Sequence, residues 1–427
     1  MPDGAATAHL FRPKLITVLG EGYGLAALRQ DALAGLTVAI IALPLSMAIA
    51  VASGVSPERG LYASVIGGAV VSVLGGSRFQ IGGPAGAFIV LVAATVARFG
   101  LQGLLLTVMM SGLLLIALGV SRLGSLIRHV PHAVTVGFTS GIAVTILASQ
   151  LRDLAGLRLA GPEPGPLPAK LMALGMALAT LNPYAVSLGL GVAGLVWVLR
   201  ARRPGWPGML IAVALATLAA AWLRLPVETI GSRFGAAPPG LPAPHLPPAS
   251  LPVLVKLAPT ALSFTLLGGI ESLLSAKVAD SMTGRRHRSN MELIAQGIAN
   301  LASPLFGGIS VTGTIARTAA NIRAGARSPL AGLFHAAFVL VFLLIAGPLA
   351  RFIPLAALAG VLVVVCASMA ERAEFLALLK RPGPAAVLLT TFGLTLVKDL
   401  TFGIIGGCLV AAGLALMRRP VAEESRA

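Results

Sequence analysis

The residues best suited to chemistry lie between Gly308 and Gly332, where Arg317, Arg323, Arg327, Asn321 and several hydroxyls interrupt two strongly apolar blocks. The stretch is too polar for a lipid-facing span, so at membrane depth it must face a protein cavity. Its spacing predicts a short extended piece over 308–311, then a helix that starts near Thr312 to Thr314 and ends in the glycine-rich run before Pro329. That is half a span. A half-helix beginning in mid-membrane points unpaired N–H groups and the positive end of its dipole into the cavity, and Arg317, one turn in, adds a full charge. The chemistry on offer is anion binding. Arginines near helix ends can also snorkel to the interface, which fits Arg323 and Arg327 better than Arg317.

A second candidate is Glu271, alone in the middle of an apolar span in the run Gly268 to Ser275. An ionised carboxylate is costly there, so it is protonated, paired with a cation such as Arg317, or an ion ligand; a protonated Glu bonding a neighbouring helix is the structural alternative. Asp31, Asp280 and Asp399 fall near span ends and read as interfacial, and His335 reads as a helix-packing residue. Cys366 and Cys408 sit in apolar runs and offer no disulfide framework or metal cluster. The sequence carries no hydrolase triad, His-Glu-x-x-His or paired-aspartate motif, so no catalytic residue, cofactor or metal is expected and the chain does not read as an enzyme.

The elements that must position these residues are membrane spans. A chain of 427 residues that is 56% hydrophobic and 11% charged, with a mean hydropathy of +0.91, is a polytopic membrane protein rather than a soluble one. The net charge of +17 invites a nucleic-acid reading, above all at Arg285-Arg286-His287-Arg288. Topology explains it better, because basic residues gather in cytoplasmic loops, and no nucleic-acid partner is expected. No cleavable signal is evident in the first thirty residues, so the N-terminus is expected to stay inside.

The first span, Leu33 to Ser53, carries Pro44 at its middle, a position tolerable only beside neighbours or a cavity. The second covers Leu61 to Leu74. The run Phe79 to Phe88, with Gly82-Gly83-Pro84, then repeats the pattern of an extended piece followed by a helix, Pro84 being expected at its first position and Ile89 to Val96 continuing it. As a nucleotide loop the glycines are weak, lacking Gly-Lys-Ser/Thr and a βαβ setting. Pro84 and Gly313 are 229 positions apart, as are Gly103 and Gly332, and each is followed by matching apolar blocks, Leu113 to Val130 and Val339 to Ile353. Two copies of one unit, each with an interrupted span, point to a transporter site.

Further spans are expected at Ala133–Leu151, Ala185–Leu199, Met209–Leu223, Val253–Lys277, one entered through Asn290 to Asn300, Leu333–Leu349, Leu355–Ala370, Ala385–Val397 and Thr401–Met417, about fourteen in all. Leu157 to Leu181 reads as an amphipathic connection, and proline-rich 225–252 as an extracellular linker. The basic clusters Arg122 and Arg128, Arg200 to Arg203, Arg285 to Arg288, Arg372 to Arg381, and Arg418 with Arg419 all fall on one side.

The motif Arg317-Thr318, Asn321, Gly325-Ala326-Arg327-Ser328 resembles that of the sulfate permease (SulP) family of anion transporters, as do Leu43-Pro44, Gly60-Leu61-Tyr62 and Asn290 to Asn300. The resemblance covers nearly the whole chain. It implies an all-α polytopic membrane protein with about fourteen transmembrane segments in a seven-plus-seven inverted repeat (UraA-like), with half-helices at spans three and ten. On this basis residues 1–30 are a cytoplasmic N-terminus, and 31–129 and 253–350 the two repeats of a core domain. Residues 130–224 and 351–419 form a gate domain, 225–252 the linker between halves and 420–427 a C-terminal tail. Substrate contacts are expected from Leu45, Ile49, Ala85, Gly86, Ala87, Thr314, Ile315, Ala316 and Arg317, with Glu271 and Ser275 as the coupling-ion site.

The implied activity is secondary active transport of a small inorganic or organic anion (sulfate, bicarbonate, dicarboxylate or similar), coupled to protons. A sodium-coupled symporter or anion exchanger, an anion channel, and a nucleobase-proton symporter of the same fold are the alternatives. A homodimer in the cell inner membrane, with both termini cytoplasmic, is expected. Ala85 stands where some members have a bulky aromatic, which leaves room for a larger anion. SulP proteins usually continue into a cytoplasmic STAS-type domain, whereas this sequence ends ten residues after Met417.

Overall fold

The structure, a computed structural model, describes residues 11–125, 131–161, 163–164, 167–203, 205–235, 240–370, 372–398 and 400–417. Arg128, Asp399, Arg418, Arg419, the tail 420–427 and the first ten residues lie outside these. After a short helix α1 (Lys14–Gly20) come α2 (Leu25–Ala52) and α3 (58–74), the latter containing a π-helical turn at Ala63–Gly67. Strand β1 (Gly82–Gly83) leads into α4 (Gly86–Val120), followed by α5 (His132–Leu154), the amphipathic α6 (Leu167–Met176), α7 (Pro183–Arg202) and α8 (Gly208–Trp222). The second half holds α9 (Ile230–Phe234), α10 (Leu251–Thr283), α11 (Ser289–Leu305), β2 (Thr312–Gly313), α12 (Ile315–Arg323) and α13 (Leu330–Ala346). It closes with α14 (Leu355–Met369), α15 (Arg372–Leu379), α16 (Pro382–Val397) and α17 (Leu400–Met417).

Seven of the described helices are long and apolar enough to cross a membrane by length and composition, and four shorter apolar helices accompany them. The chain is a multi-pass membrane protein. Most helix packing falls within two groups, α8 belonging to the second through α7. In one, α11 lies on α4 and α3, α13 on α2 and α3, and α10 on α4 and α12; in the other, α16 lies on α17 and α5, and α14 on α7 and α5. Helix α2 touches the second group through α14 and α8. The α4–α11 contact is a glycine face: a Cβ on Gly112 would stand 2.6 Å from the Gly297 carbonyl, and one on Gly297 2.5 Å from the Gly112 carbonyl. Small residues let membrane helices approach this closely.

The two halves are copies of one unit, and the strand register marks where they meet. Gly82 pairs with Gly313 and Gly83 with Thr312, antiparallel. Gly83 and Thr312 are themselves 229 positions apart, the repeat spacing of the sequence. In an inverted repeat a residue paired with its own counterpart lies on the pseudo-two-fold axis, so the axis passes through this pair.

Several expectations are corrected. Pro84 is not the first helical residue: Ala85 is extended (φ −115°, ψ 144°) and the helix begins at Gly86. Spans three and four are joined by a sharp break at Gly100 (φ 69°, ψ −178°), so the fourth span starts directly after it and ends at Val120, not at Val130. A positive φ of this kind needs glycine. The region 225–252 is more than a linker, because Thr229 and Ser232 form a capping box that starts α9. Backbone bonds from Ile230 to the Ile353 carbonyl and from Leu355 to the Glu228 carbonyl hold α9 against the start of α14.

Candidate functional site

The two strands put the starts of two helices side by side, since α4 begins three residues beyond Gly83 and α12 two residues beyond Gly313. Neither start is capped: Ala85 and Thr314 occupy the N-cap positions and neither makes a side-chain capping bond. The N–H groups there, with the positive ends of both dipoles, are available to an anion.

The motif residues of α12 brace this crossing. Ile81 N donates to Thr318 Oγ1 (3.2 Å), Asn321 Nδ2 to the Phe79 carbonyl (2.9 Å), and Thr314 N to the Ile81 carbonyl (3.2 Å). On the other strand, Asn300 accepts from Val311 N (2.9 Å) and donates to the Val311 carbonyl (2.7 Å), in the manner of a strand partner. Ser272 on α10 accepts from Gly313 N (3.2 Å), and its own carbonyl accepts from Gln80 Nε2 (3.2 Å). Backbone groups that no helix ladder pairs are held here by side chains, as buried N–H and C=O groups require.

Arg317 is 1% exposed, which rules out snorkelling. Its Nη2 donates to Ser46 Oγ (3.0 Å) and to the Pro84 carbonyl (3.2 Å), and Nη1 to Ser64 Oγ (3.3 Å), while Nε has no partner. Ser46 and Ser64 bond each other at 2.9 Å. A Cβ on Gly83 would lie 2.1 Å from Nη1, so any side chain there has to displace the guanidinium. Arg323 and Arg327 are exposed.

The remaining expected site residues separate into groups. Ile315 is 38% exposed, Ala316 is also exposed and Gly86 is half-buried, whereas Ala85, Ala87 and Thr314 are buried. The missing Gly86 Cβ would sit 3.5 Å from Met369 Sδ and 3.9 Å from Ile146 Cδ1, so α4 starts opposite α14 and α5. Leu45 and Ile49 are buried apolar residues of α2, and the neighbouring Ser46 is the one that reaches Arg317. Glu271 Oε2 is buried without a hydrogen-bond partner, and among the described residues Glu271 and Arg317 form no ion pair. Ser275 Oγ donates to Thr318 Oγ1 (3.2 Å), linking α10 to α12. No cluster of three or more metal-ligating side chains occurs among the described residues. His335 is fully buried with both ring nitrogens unpartnered.

Asp31 is the main correction among the acids. It is not interfacial but fully buried, and its carboxylate accepts from Arg327 N (2.6 Å), Ser328 N (3.2 Å), the Ser328 hydroxyl and the Tyr23 hydroxyl (2.5 Å). Burial, and then this carboxylate, push the Tyr23 phenol up to about 12. Asp280 does lie at a span end, partly exposed and bonded to His287 Nδ1 at 2.6 Å. Sequence reasoning missed Ser46, Ser64 and Gln80, and passed over Glu292, which is fully buried and accepts from Gly76 N (2.9 Å), Ser77 N (3.0 Å) and Gln296 Nε2 (3.0 Å). A carboxylate inside an otherwise apolar helix was the available signal for both Glu292 and Asp31.

Residues 28–391 match the sulfate permease family. The putative sulfate transporter YvdB of Bacillus subtilis (strain 168) is 43% identical over 395 residues, covering 92% of this chain and 74% of the relative. The bicarbonate transporter BicA of Picosynechococcus sp. is 34% identical over 406 residues, covering 92% of this chain and 70% of the relative. Among solved structures, the transmembrane domain of a cyanobacterium bicarbonate transporter BicA superposes with a TM-score of 0.80 at 33% identity, over 90% of this chain and 98% of that one. SLC26A9 shares the fold with a TM-score of 0.88 at 18% identity, over 98% of this chain and 69% of that one.

Proposed function

The chain belongs to the sulfate permease family, and on that premise we propose that it carries a small anion across the membrane by alternating access, as a secondary active transporter coupled to protons. The observation that carries this is the meeting of two uncapped helix starts at the Gly83–Thr312 pair with the Arg317 guanidinium buried behind them. Fixed dipoles and the full charge of Arg317 bind an anion without having to reorient at the moment of binding. Sulfate and bicarbonate, the anions named for its relatives, are the first candidates.

The two groups of helices supply the moving parts. Residues 31–129 and 253–350 form the core that holds the site, and 130–224 and 351–419 the gate against which it moves. In support, the helix starts and all their braces belong to the first group, while Ile146 and Met369, opposite Gly86, belong to the second. Glu271 is the proton carrier, with its carboxyl oxygen unpartnered on α10 beside the braced strand. Uptake of radiolabelled sulfate and bicarbonate into proteoliposomes tests the reading. Saturable accumulation supports it; flux that never saturates, or none with either anion or with dicarboxylates, overturns it.

A further inference from the structure

A cavity of about 640 Å³ opens between the ends of α2 and of the helix running 86–99 on one side, and α5, α6 and α9 on the other. It reaches Ile89, three residues from the start of that helix, so it abuts the element that forms the site. The basic turn Arg285–Arg288 belongs to the opposite ends of the spans, and this mouth has cations of its own. Among the described residues, Arg98, Arg152, Lys170 and Arg233 line it with the carboxylates Asp153 and Glu163, and Glu228 pairs with Arg233 beside it, so four cations face three carboxylates.

Lys170 and Arg152 are the two that bear on this mouth. Helix α6 is apolar on its exposed face, with Leu171 48%, Met172 69% and Met176 76% exposed. A lysine on it must find polar partners on the other side. Lys170 is 6% exposed and turned under the helix, where its ammonium donates to Ser149 Oγ and lies 2.9 Å from Glu163 Oε1, an ion pair without hydrogen-bond alignment. Arg152 has a buried Nε with no partner, and among the described residues neither it nor Arg98 forms an ion pair. Arg233 is occupied, by Asp153 (2.7 Å) and Glu228. A surplus of positive charge inside low-dielectric walls concentrates anions.

We infer that this cavity is a second anion site, in which Arg152 and Lys170 hold a small oxyanion before it reaches the paired helix starts, and that the Glu163 carboxylate occupies Lys170 when the anion is absent. The inference rests on the transport reading, and Glu163 gives it a signed test. If the anion displaces Glu163, then Lys170→Gln weakens binding and Glu163→Gln strengthens it. If the Lys170–Glu163 pair merely latches α6 in place, both variants shift in the same direction.

The experiment measures, for the wild type and for Lys170→Gln, Lys170→Arg and Glu163→Gln, the half-saturating concentration of sulfate and of bicarbonate uptake, together with the sulfate concentration at which the purified protein's melting temperature is half-raised. The expected result is a roughly tenfold increase for Lys170→Gln, a roughly threefold decrease for Glu163→Gln and near-wild-type behaviour for Lys170→Arg, as charge-assisted contacts imply. Equal or parallel shifts of the glutamine variants in both readouts overturn the second site. Opposite shifts in the melting readout alone, without uptake by any variant, support the site while removing the transport reading.

Discussion

Arg317 Nη2 donates to the Ser46 hydroxyl at 3.0 Å, tying the second half-helix to the proline-bearing first span. The guanidinium thus puts a full charge behind the helix starts and braces the repeat boundary. An anion reaching the helix starts meets a positive charge held by three acceptors.

Arg317→Ala should raise the half-saturating anion concentration by roughly 10- to 100-fold, given about 1.5–3 kcal/mol for a hydrogen bond to a charged group. It should also lower the melting temperature, because Ser46, Ser64 and the Pro84 carbonyl lose their donor. Arg317→Lys keeps the charge but not the fork, so it should recover part of the affinity and little of the stability. Unchanged affinity in the alanine variant would place the site elsewhere.

Gly83→Ala puts a methyl group 2.1 Å from Arg317 Nη1 and must displace the guanidinium. Its effect on affinity should resemble that of Arg317→Ala, and the double variant should be little worse than either single one, because contacting residues do not add. Additive losses in a double-mutant cycle of uptake affinities would show that Gly83 matters for some other reason.

Asp31→Ala leaves the Arg327 and Ser328 N–H groups without an acceptor. At about 1–3 kcal/mol for each buried donor left unmade, thermal unfolding should show a large drop, with Asp31→Asn intermediate because one carbonyl oxygen remains. Folded protein of either variant should keep its apparent anion affinity. An alanine variant as stable as the wild type would show that the buried contact contributes nothing.

Glu271→Gln should abolish accumulation driven by an imposed pH gradient while leaving anion-for-anion exchange, since glutamine fills the same space but carries no exchangeable proton. The assay is uptake into proteoliposomes under a pH gradient or a sodium gradient. Stimulation by sodium alone, or full pH-driven uptake by the variant, would transfer the role to sodium, for which Ser275 and the carbonyls near Gly268 and Gly269 are further ligand candidates.

The chain in order carried the membrane class, both interrupted spans and the burial of Arg317, because each is a local property, and the repeat spacing could be counted along it. Apolar length marks a span, glycine and proline mark a break, and an arginine amid apolar residues has few places to go. The 229-residue spacing even contained the Gly83–Thr312 pairing, though nothing local stated that these two residues touch.

Contacts between residues hundreds of positions apart were another matter. Ser46 and Ser64 look like ordinary small residues of apolar helices until the fold aims them at Arg317, and Asp31 looks interfacial until α13 brings Ser328 onto it. The start of α4 also depended on partners at a distance, since Pro84 gives its carbonyl to Arg317 and the helix begins only at Gly86. A buried polar group is decided by whichever donor or acceptor the packing supplies, and only the folded chain fixes that partner.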